Sequence, residues 1–249
     1  MQQSPELPRV NYGIDAPYQA FGFLAIGLLG VALGLGVSQR HWLHGAGIRW
    51  VITITCFSNG GLFLVTALLM LWGSRVGKIR LVQRVMRQID WHGDERVLDV
   101  GCGHGLMLIA AAGRLTTGCA LGVDVWRTYD QAGNSRRAAQ ANLELTGVAD
   151  RAQLQDADAR QLPQADGSFD VVLSSWVIHN ISDADGRLQA VREMARVLRP
   201  GGRLVIIDIL YTRHYARELM RLGFVNVRRI GPNYLFGFSS YTLSAVKPA

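Results

Sequence analysis

Two long stretches without a charge open the chain, and behind them short apolar runs alternate with segments of helical periodicity. From Phe21 to Val37 the sequence offers only apolar residues and glycine, 17 positions in all. That length sits at the short limit for crossing a hydrocarbon core of about 30 Å. A polar loop containing Ser38, Gln39, Arg40, His41, His44 and Arg49 follows. A second uncharged run, Trp50 to Trp72, spans 23 residues and carries Trp at both ends, where interfacial aromatics belong. A cleaved signal peptide is the alternative for the first run. The residues before it lack a basic cluster, and a second apolar run follows at once. The pattern predicts a polar tail over 1–18 and a two-helix transmembrane hairpin over 19–74. Gly27, Gly30 and Gly34 share one helix face, so the two spans can approach closely there. Thr53, Thr55, Ser58 and Asn59 are expected to hydrogen-bond across the hairpin.

Residues 75–92 read as an amphipathic linker helix, with Ile79, Val82, Val85, Met86 and Ile89 on one side and Arg80, Arg84 and Arg87 on another. That basic face is either solvated or drawn to anionic headgroups. Beyond it, residues 93–249 form a separate domain. Strands are expected at Val97–Val100, Ala120–Asp124, Ala152–Gln155, Ser168–Ser175 and Arg203–Ile209, with helices at Leu106–Ala112, Ala138–Leu145 and Ala184–Leu198 between them. This alternation means a parallel sheet covered on both faces. A helix near Ala216–Leu222 and two strands, Val225–Ile230 and Tyr241–Val246, close one edge as an antiparallel pair.

Composition sharpens the picture in two ways. A net charge of +7 and a pI of about 9.8 call for an acidic partner, nucleic acid or anionic lipid. The distribution of that charge matters more than its sum. Arg75, Lys78, Arg80, Arg84 and Arg87 follow the second span, whereas the loop between spans has Arg40 and Arg49. The positive-inside rule then puts the tail and the large domain in the cytoplasm, at the inner membrane if the source is a bacterium. The three cysteines, Cys56, Cys102 and Cys119, form no close pair, so neither a disulfide framework nor a metal site is expected.

The candidate chemistry centres on Asp99-Val100-Gly101-Cys102-Gly103-His104-Gly105. A buried strand runs into a turn whose alternate glycines let a ligand lie on the backbone, and the next helix points its amides at the turn. Asp124 ends the following strand 19 residues past Gly105, where a βαβ unit places an acid for ribose hydroxyls. The loop from Trp126 to Ser135 is longer and more decorated than a plain strand-to-helix link, and it borders the carboxyl ends of the strands where ligands bind.

With Asp158-Ala159-x-x-Leu162-Pro163, Phe169-Asp170 and Arg196-Val197-Leu198-x-Pro200-Gly201-Gly202, these motifs resemble the class I S-adenosylmethionine-dependent methyltransferases. The likeness is strongest to the ubiquinone/menaquinone- and sterol-methyltransferase-like branch. It covers about Val97 to Ala249 and implies a Rossmann-like α/β fold with a seven-stranded sheet, the reversed seventh strand beside the fifth. It also implies S-adenosyl-L-methionine as cofactor and a role for each matching position. Gly101, Gly103 and Gly105 would carry the methionine portion, with Asp99 near its amino group and Ser174 facing the same end. Asp124 would hold the ribose, Val125 or Trp126 would flank the adenine, and Asp158 and Ala159 would meet the adenine edge.

Where the acceptor loses a proton a base is needed, and His179, just beyond the fourth strand, is the candidate; Asp208 and Tyr211 are weaker ones. A helix-start or packing histidine is the competing reading for that position. No Asn-Pro-Pro-Tyr or Asp-Pro-Pro-Tyr follows the fourth strand, which argues against base methylation on nucleic acid. The short link after Asp208 leaves little chain for a cap, so an open site is expected, with every cofactor contact at or beyond Asp99. A small or lipophilic acceptor (quinone, lipid, phenol or thiol) reaching the site from the bilayer fits best. A membrane-tethered cofactor-binding adaptor without turnover, or a nucleic-acid or protein methyltransferase, is the alternative.

Overall fold

A computed structural model describes residues 10–40, 46–234 and 239–249. His41 and His44 of the connecting loop and the first nine residues of the tail lie outside the described residues. Helix α1 (Pro17–Ser38) starts with proline in its first turn, after Ala16 in the left-handed region at φ 46°. Helix α2 (Ala46–Trp72) runs antiparallel to it and continues without a break through one π-helical turn (Gly73–Gly77) into α3 (Lys78–Met86). The boundary expected at 74/75 thus falls inside one continuous helix made of α2, the π turn and α3.

Glycine makes the hairpin close. A Cβ at Gly30 would lie 2.9 Å from the Gly60 Cα, and one at Gly60 would meet the backbone of Gly27 to Val31 at 2.9–3.1 Å. In place of the expected cross-hairpin bonds, Ser58 and Asn59 donate back to the Ile54 and Thr55 carbonyls of their own helix. Phe21, Leu28, Leu29, Leu33, Trp50, Ile54, Leu62 and Leu68 all remain exposed. Leu81, Val82, Val85, Met86 and Ile89, by contrast, are buried against α4 (Leu106–Ala112), while Arg80, Arg84 and Arg87 face out. Lys78 turns inward and is 2% exposed, so it adds nothing to the basic face.

The sheet follows the expected alternation. In chain order its elements are β1 (Arg96–Val100), α4, β2 (Cys119–Asp124), α5 (Arg136–Leu145), β3 (Ala152–Asp156), β4 (Phe169–Ser175), α6 (Ala184–Val197), β5 (Leu198–Asp208), α7 (Thr212–Arg221), β6 (Val225–Asn233) and β7 (Ser240–Val246). The strand order is β3-β2-β1-β4-β5-β7-β6, parallel except for β7, which runs antiparallel between β5 and β6. Caps mark two helix starts, that of α5 two residues ahead of the expected Ala138 and that of α6 at the expected Ala184. Ser135 accepts from the Ala138 amide ahead of α5, and Asp183 accepts from the Gly186 amide ahead of α6. α7 begins at Thr212 rather than near Ala216. Both faces of the central strands are covered, by α3, α4 and α5 on one side and α6 and α7 on the other.

Candidate active site

The carboxyl ends of β1, β2 and β4 open into a cavity of about 540 Å³, within the roughly 300–1,000 Å³ range of ligand sites. Its floor is the glycine turn after β1. Gly101 sits at φ 74°, and a Cβ there would fall 2.3 Å from the Val177 side chain; a Cβ on Gly103 would meet the Gln131 Oε1 at 2.6 Å. At the end of β2, Asp124 accepts from the Gly103 amide (2.8 Å) and the Trp126 amide (2.6 Å), and Asn134 lies 3.4 Å away. Asn134 Oδ1 is buried without a partner on the cavity wall, an acceptor that a ligand hydroxyl can satisfy. Val125, Ala159 and Asp158 complete this end. Asp158 is held by Arg160 at 2.6 Å, which keeps its carboxyl below the usual carboxylate range.

Four of the expected site residues stand elsewhere. Gly105, at φ 84°, caps α4 rather than lining the cavity. Trp126, at φ 58°, swings out of the lining, donates its indole N–H to Asp156 and packs against the core. Asp99 is fully buried under α4, one layer behind the turn. Burial pushes its carboxyl up to about 7, a tendency opposed by the Leu108 amide and reinforced by Asp124. Ser174 follows Val172 onto the opposite face of β4 and is buried, and Ser175 lines the cavity in its place.

His179 reaches the cavity from the 3-10 turn after β4 (Ile178–Asn180). Its Nδ1 donates to Asp208 Oδ1, and its backbone amide bonds Asp208 Oδ2 at 3.1 Å. Asp208 is fully buried at the end of β5 and also accepts from the Ile209 amide. The ring is thereby fixed, with Nε2 left for the cavity. Asp130 stands on the same wall; burial pushes its carboxyl up, while Arg127 and His179 pull it down.

The cavity also has a roof, which the sequence pattern did not suggest. Residues 11–16 form a strap across the glycine turn. Lys78 Nζ donates to the Tyr12 carbonyl (2.7 Å), the Gly13 carbonyl (3.2 Å) and Asp15 Oδ2 (2.8 Å). Gln131 joins strap to turn: its Nε2 donates to the Tyr12 carbonyl and to Asp15 Oδ1, and its Oε1 accepts from His104. Asn142 ties Asn11 to the His104 carbonyl. Gly13, at φ 69°, lies so close to His104 that a Cβ would be 2.9 Å from its ring. The glycine turn, expected to be open, is therefore covered, and part of the cavity wall precedes Asp99. The only advance signal was one lysine in a helix whose other cations are arginines.

A parallel α/β sheet with a reversed strand beside the fifth, a glycine turn and an acid ending the next strand defines the class I methyltransferase fold. Residues 98–206 match the methyltransferase domain family. A methyltransferase of Streptomyces halstedii, GfsG, is 39% identical over 131 residues, covering 53% of this chain and 44% of that protein. A ubiquinone/menaquinone biosynthesis C-methyltransferase of Geotalea daltonii is 30% identical over 158 residues, 63% of each chain. The chain spans about half the length of the curated relatives it matches. The geranyl diphosphate C-methyltransferase of Streptomyces coelicolor, solved with S-adenosyl-L-homocysteine, shares the fold with a TM-score of 0.54 at 14% identity, over 68% of this chain and 77% of that one. Residues 98–206 therefore carry a methyltransferase domain, and the comparisons support S-adenosyl-L-methionine as its cofactor.

Proposed function

We propose that the protein is a membrane-anchored methyltransferase that transfers a methyl group from S-adenosyl-L-methionine to a small lipophilic acceptor carrying an acidic proton. One observation carries the reading: the glycine turn, Asp124 and His179, which buried Asp208 holds, line one cavity together with Phe23 and Met70 at the base of an exposed apolar hairpin. In the most apolar stretch of each hairpin helix only 17% is buried, which supports lipid-facing helices over core helices of a soluble domain. Arg75, Arg80, Arg84 and Arg87 beside the second helix favour a cytoplasmic domain and a cytoplasmic tail.

Bound cofactor supplies an electrophilic methyl on a sulfonium. Gly101 and Gly103 would carry its methionine end, Asp124 with Asn134 would receive its ribose hydroxyls, and Val125 would flank its adenine. His179 Nε2 would accept the acceptor's proton as the acceptor takes the methyl group that the bound cofactor would supply, the electron pair of the carbon–sulfur bond staying with sulfur. Buried Asp208 holds the imidazole in the tautomer that can accept. Alignment inside a covered cavity supplies most of the acceleration, up to about 7–11 kcal/mol. The quinone-type relative and the strand end without Asn-Pro-Pro-Tyr support a small-molecule acceptor over nucleic acid.

The test uses membranes from cells making the full chain, incubated with S-adenosyl-L-methionine labelled in its methyl group. Label should enter the solvent-extractable fraction, and His179→Ala should abolish it while cofactor binding persists. Label confined to nucleic acid or protein, or no transfer by a protein that binds cofactor, would refute the reading.

A further inference from the structure

We propose that the cavity contains a second compartment, walled by Gln19, Phe23, Met70 and Ser74, that takes the apolar chain of the acceptor and admits it sideways from the lipid. The inference rests on the membrane-anchored reading above.

These four residues come from both helices of the hairpin and from the π turn, and they line the same cavity as His179 and the glycine turn. Met70 and Ser74 are buried, Phe23 is half-buried, and Gln19 is exposed, so Gln19 stands at a mouth. The helix segments that carry these residues also expose apolar side chains, Tyr18, Phe21, Ile26, Leu69 and Trp72. Over the glycine turn the cavity is covered by the strap, while Val125, Arg127 and Tyr129 leave its polar end open to water. Lys78 bonds both carbonyls and the Asp15 carboxylate, Asp15 donates its amide to Ser74 Oγ, and the Tyr18 ring stacks on Tyr129 at 5.7 Å. A π turn at 73–77 shifts the helical register just before Lys78, which lets α2 face the hairpin while α3 packs on the domain.

The polarity along the cavity specifies the ligand. One end offers His179, Asp130 and Arg127, and the other offers Phe23 and Met70. An amphipathic molecule with an ionisable head and an apolar chain satisfies both ends. From Gln19 to Phe23 is one helical turn, about 6 Å, so only the first few carbons of the chain are enclosed and the remainder lies in lipid. The compartment therefore distinguishes a chain from none, and is indifferent to length beyond that.

The probe is a decyl hydroquinone with a photoactivatable diazirine on its first chain carbons. It is added to the full-length protein in nanodiscs of phosphatidylcholine and phosphatidylglycerol at saturating S-adenosyl-L-homocysteine. After irradiation, labelling should concentrate on Gln19–Phe23 and Met70–Ser74. Excess decyl or hexadecyl hydroquinone should compete it away equally, and methyl hydroquinone should fail to compete. Gln19→Trp, at an exposed position that tolerates bulk, should reduce labelling at least tenfold, as should Met70→Trp. Leu62→Trp, on the lipid-facing side of α2 away from the cavity, should leave it unchanged. Diffuse labelling that does not compete, equal competition by methyl hydroquinone, or full labelling of Gln19→Trp would overturn the proposal. Calorimetry separates the two readings: absent S-adenosyl-L-homocysteine binding defeats the methyltransferase reading, whereas normal binding with misplaced label defeats this one alone.

Discussion

Replacing Lys78 by methionine tests whether the strap is a structural part of the site. The side chain is 2% exposed and its ammonium makes three bonds, to the Tyr12 and Gly13 carbonyls and to Asp15 Oδ2. Methionine fills similar volume and makes none of them. Removing one partner of a buried ion pair costs about 3–5 kcal/mol. Here the loss is smaller, because the Asp15 side chain is 19% exposed and keeps its bond from Gln131, and because the released carbonyls can find water once the strap lifts. About 2 kcal/mol remains, which corresponds to a roughly 30-fold increase in strap opening. The reporters are amides that depend on the closed strap: Asp15, bonded to Ser74 Oγ; Ala16, bonded to the Asp130 carbonyl; and Ala132, bonded to the Ile14 carbonyl. Hydrogen exchange of the full chain in nanodiscs should accelerate about 30-fold at these three sites and stay unchanged in β1 and β4. Adding Asp15→Asn should recover part of the loss, since it removes the uncompensated carboxylate. Unchanged exchange at all three amides in a folded Lys78→Met protein would refute the reasoning.

Asp124→Ala should weaken S-adenosyl-L-methionine binding about 10- to 100-fold by calorimetry, the worth of a charge-assisted hydrogen bond; wild-type affinity would remove Asp124 from the site. Asp208→Asn should lower kcat about 100-fold or more with cofactor affinity retained, because His179 loses the partner that fixes its tautomer. For Asp99, burial pushes the folded carboxyl up to about 7 from its ordinary 3.8. Between those values the folded protein holds a proton that the unfolded chain releases, so cofactor-free stability falls as pH rises from about 4 to 7 and stays low above. Asp99→Asn should remove that slope, giving a Tm advantage that is absent near pH 4 and complete above pH 7. Gly60→Leu should force the hairpin apart, since its new Cβ would meet only backbone; spin labels at Leu29 and Leu62 would report the wider separation.

The parts of the molecule legible in the sequence were those set by local pattern. Apolar runs gave the strands, uncharged stretches gave α1 and α2, and glycines at 101, 103 and 105 marked the turn. What escaped has a physical cause in each case. β4 is buried on both faces, so its run Val171-Val172-Leu173-Ser174-Ser175 has no alternation to say which serine faces the ligand. Trp126 was assigned by its place after Asp124, but a left-handed backbone at that position redirects its ring. Asp15, Lys78 and Gln131 lie in three distant segments, and each alone reads as an ordinary surface residue. Only tertiary contact turns them into one buried network.

That network changes what the hairpin is for. An anchor joined by a flexible linker would leave the orientation of the domain free, and the membrane would contribute only local concentration. Here α2 runs straight through the π turn into α3, whose apolar face is part of the domain core. The strap then ties the start of α1 to the glycine turn. Two rigid connections fix the cavity against the base of the hairpin, so orientation is built into the fold. The strap also supplies the cover that the short link after Asp208 cannot. On this view the apolar helices and the methyl-transfer domain form one cooperative unit. Truncation before Arg75 should expose the glycine turn to water and weaken cofactor binding measurably, whereas a mere address label could be cut away without consequence. Calorimetry of a folded protein lacking residues 1–74 decides between them, and full cofactor affinity there would return the hairpin to the role of a tether.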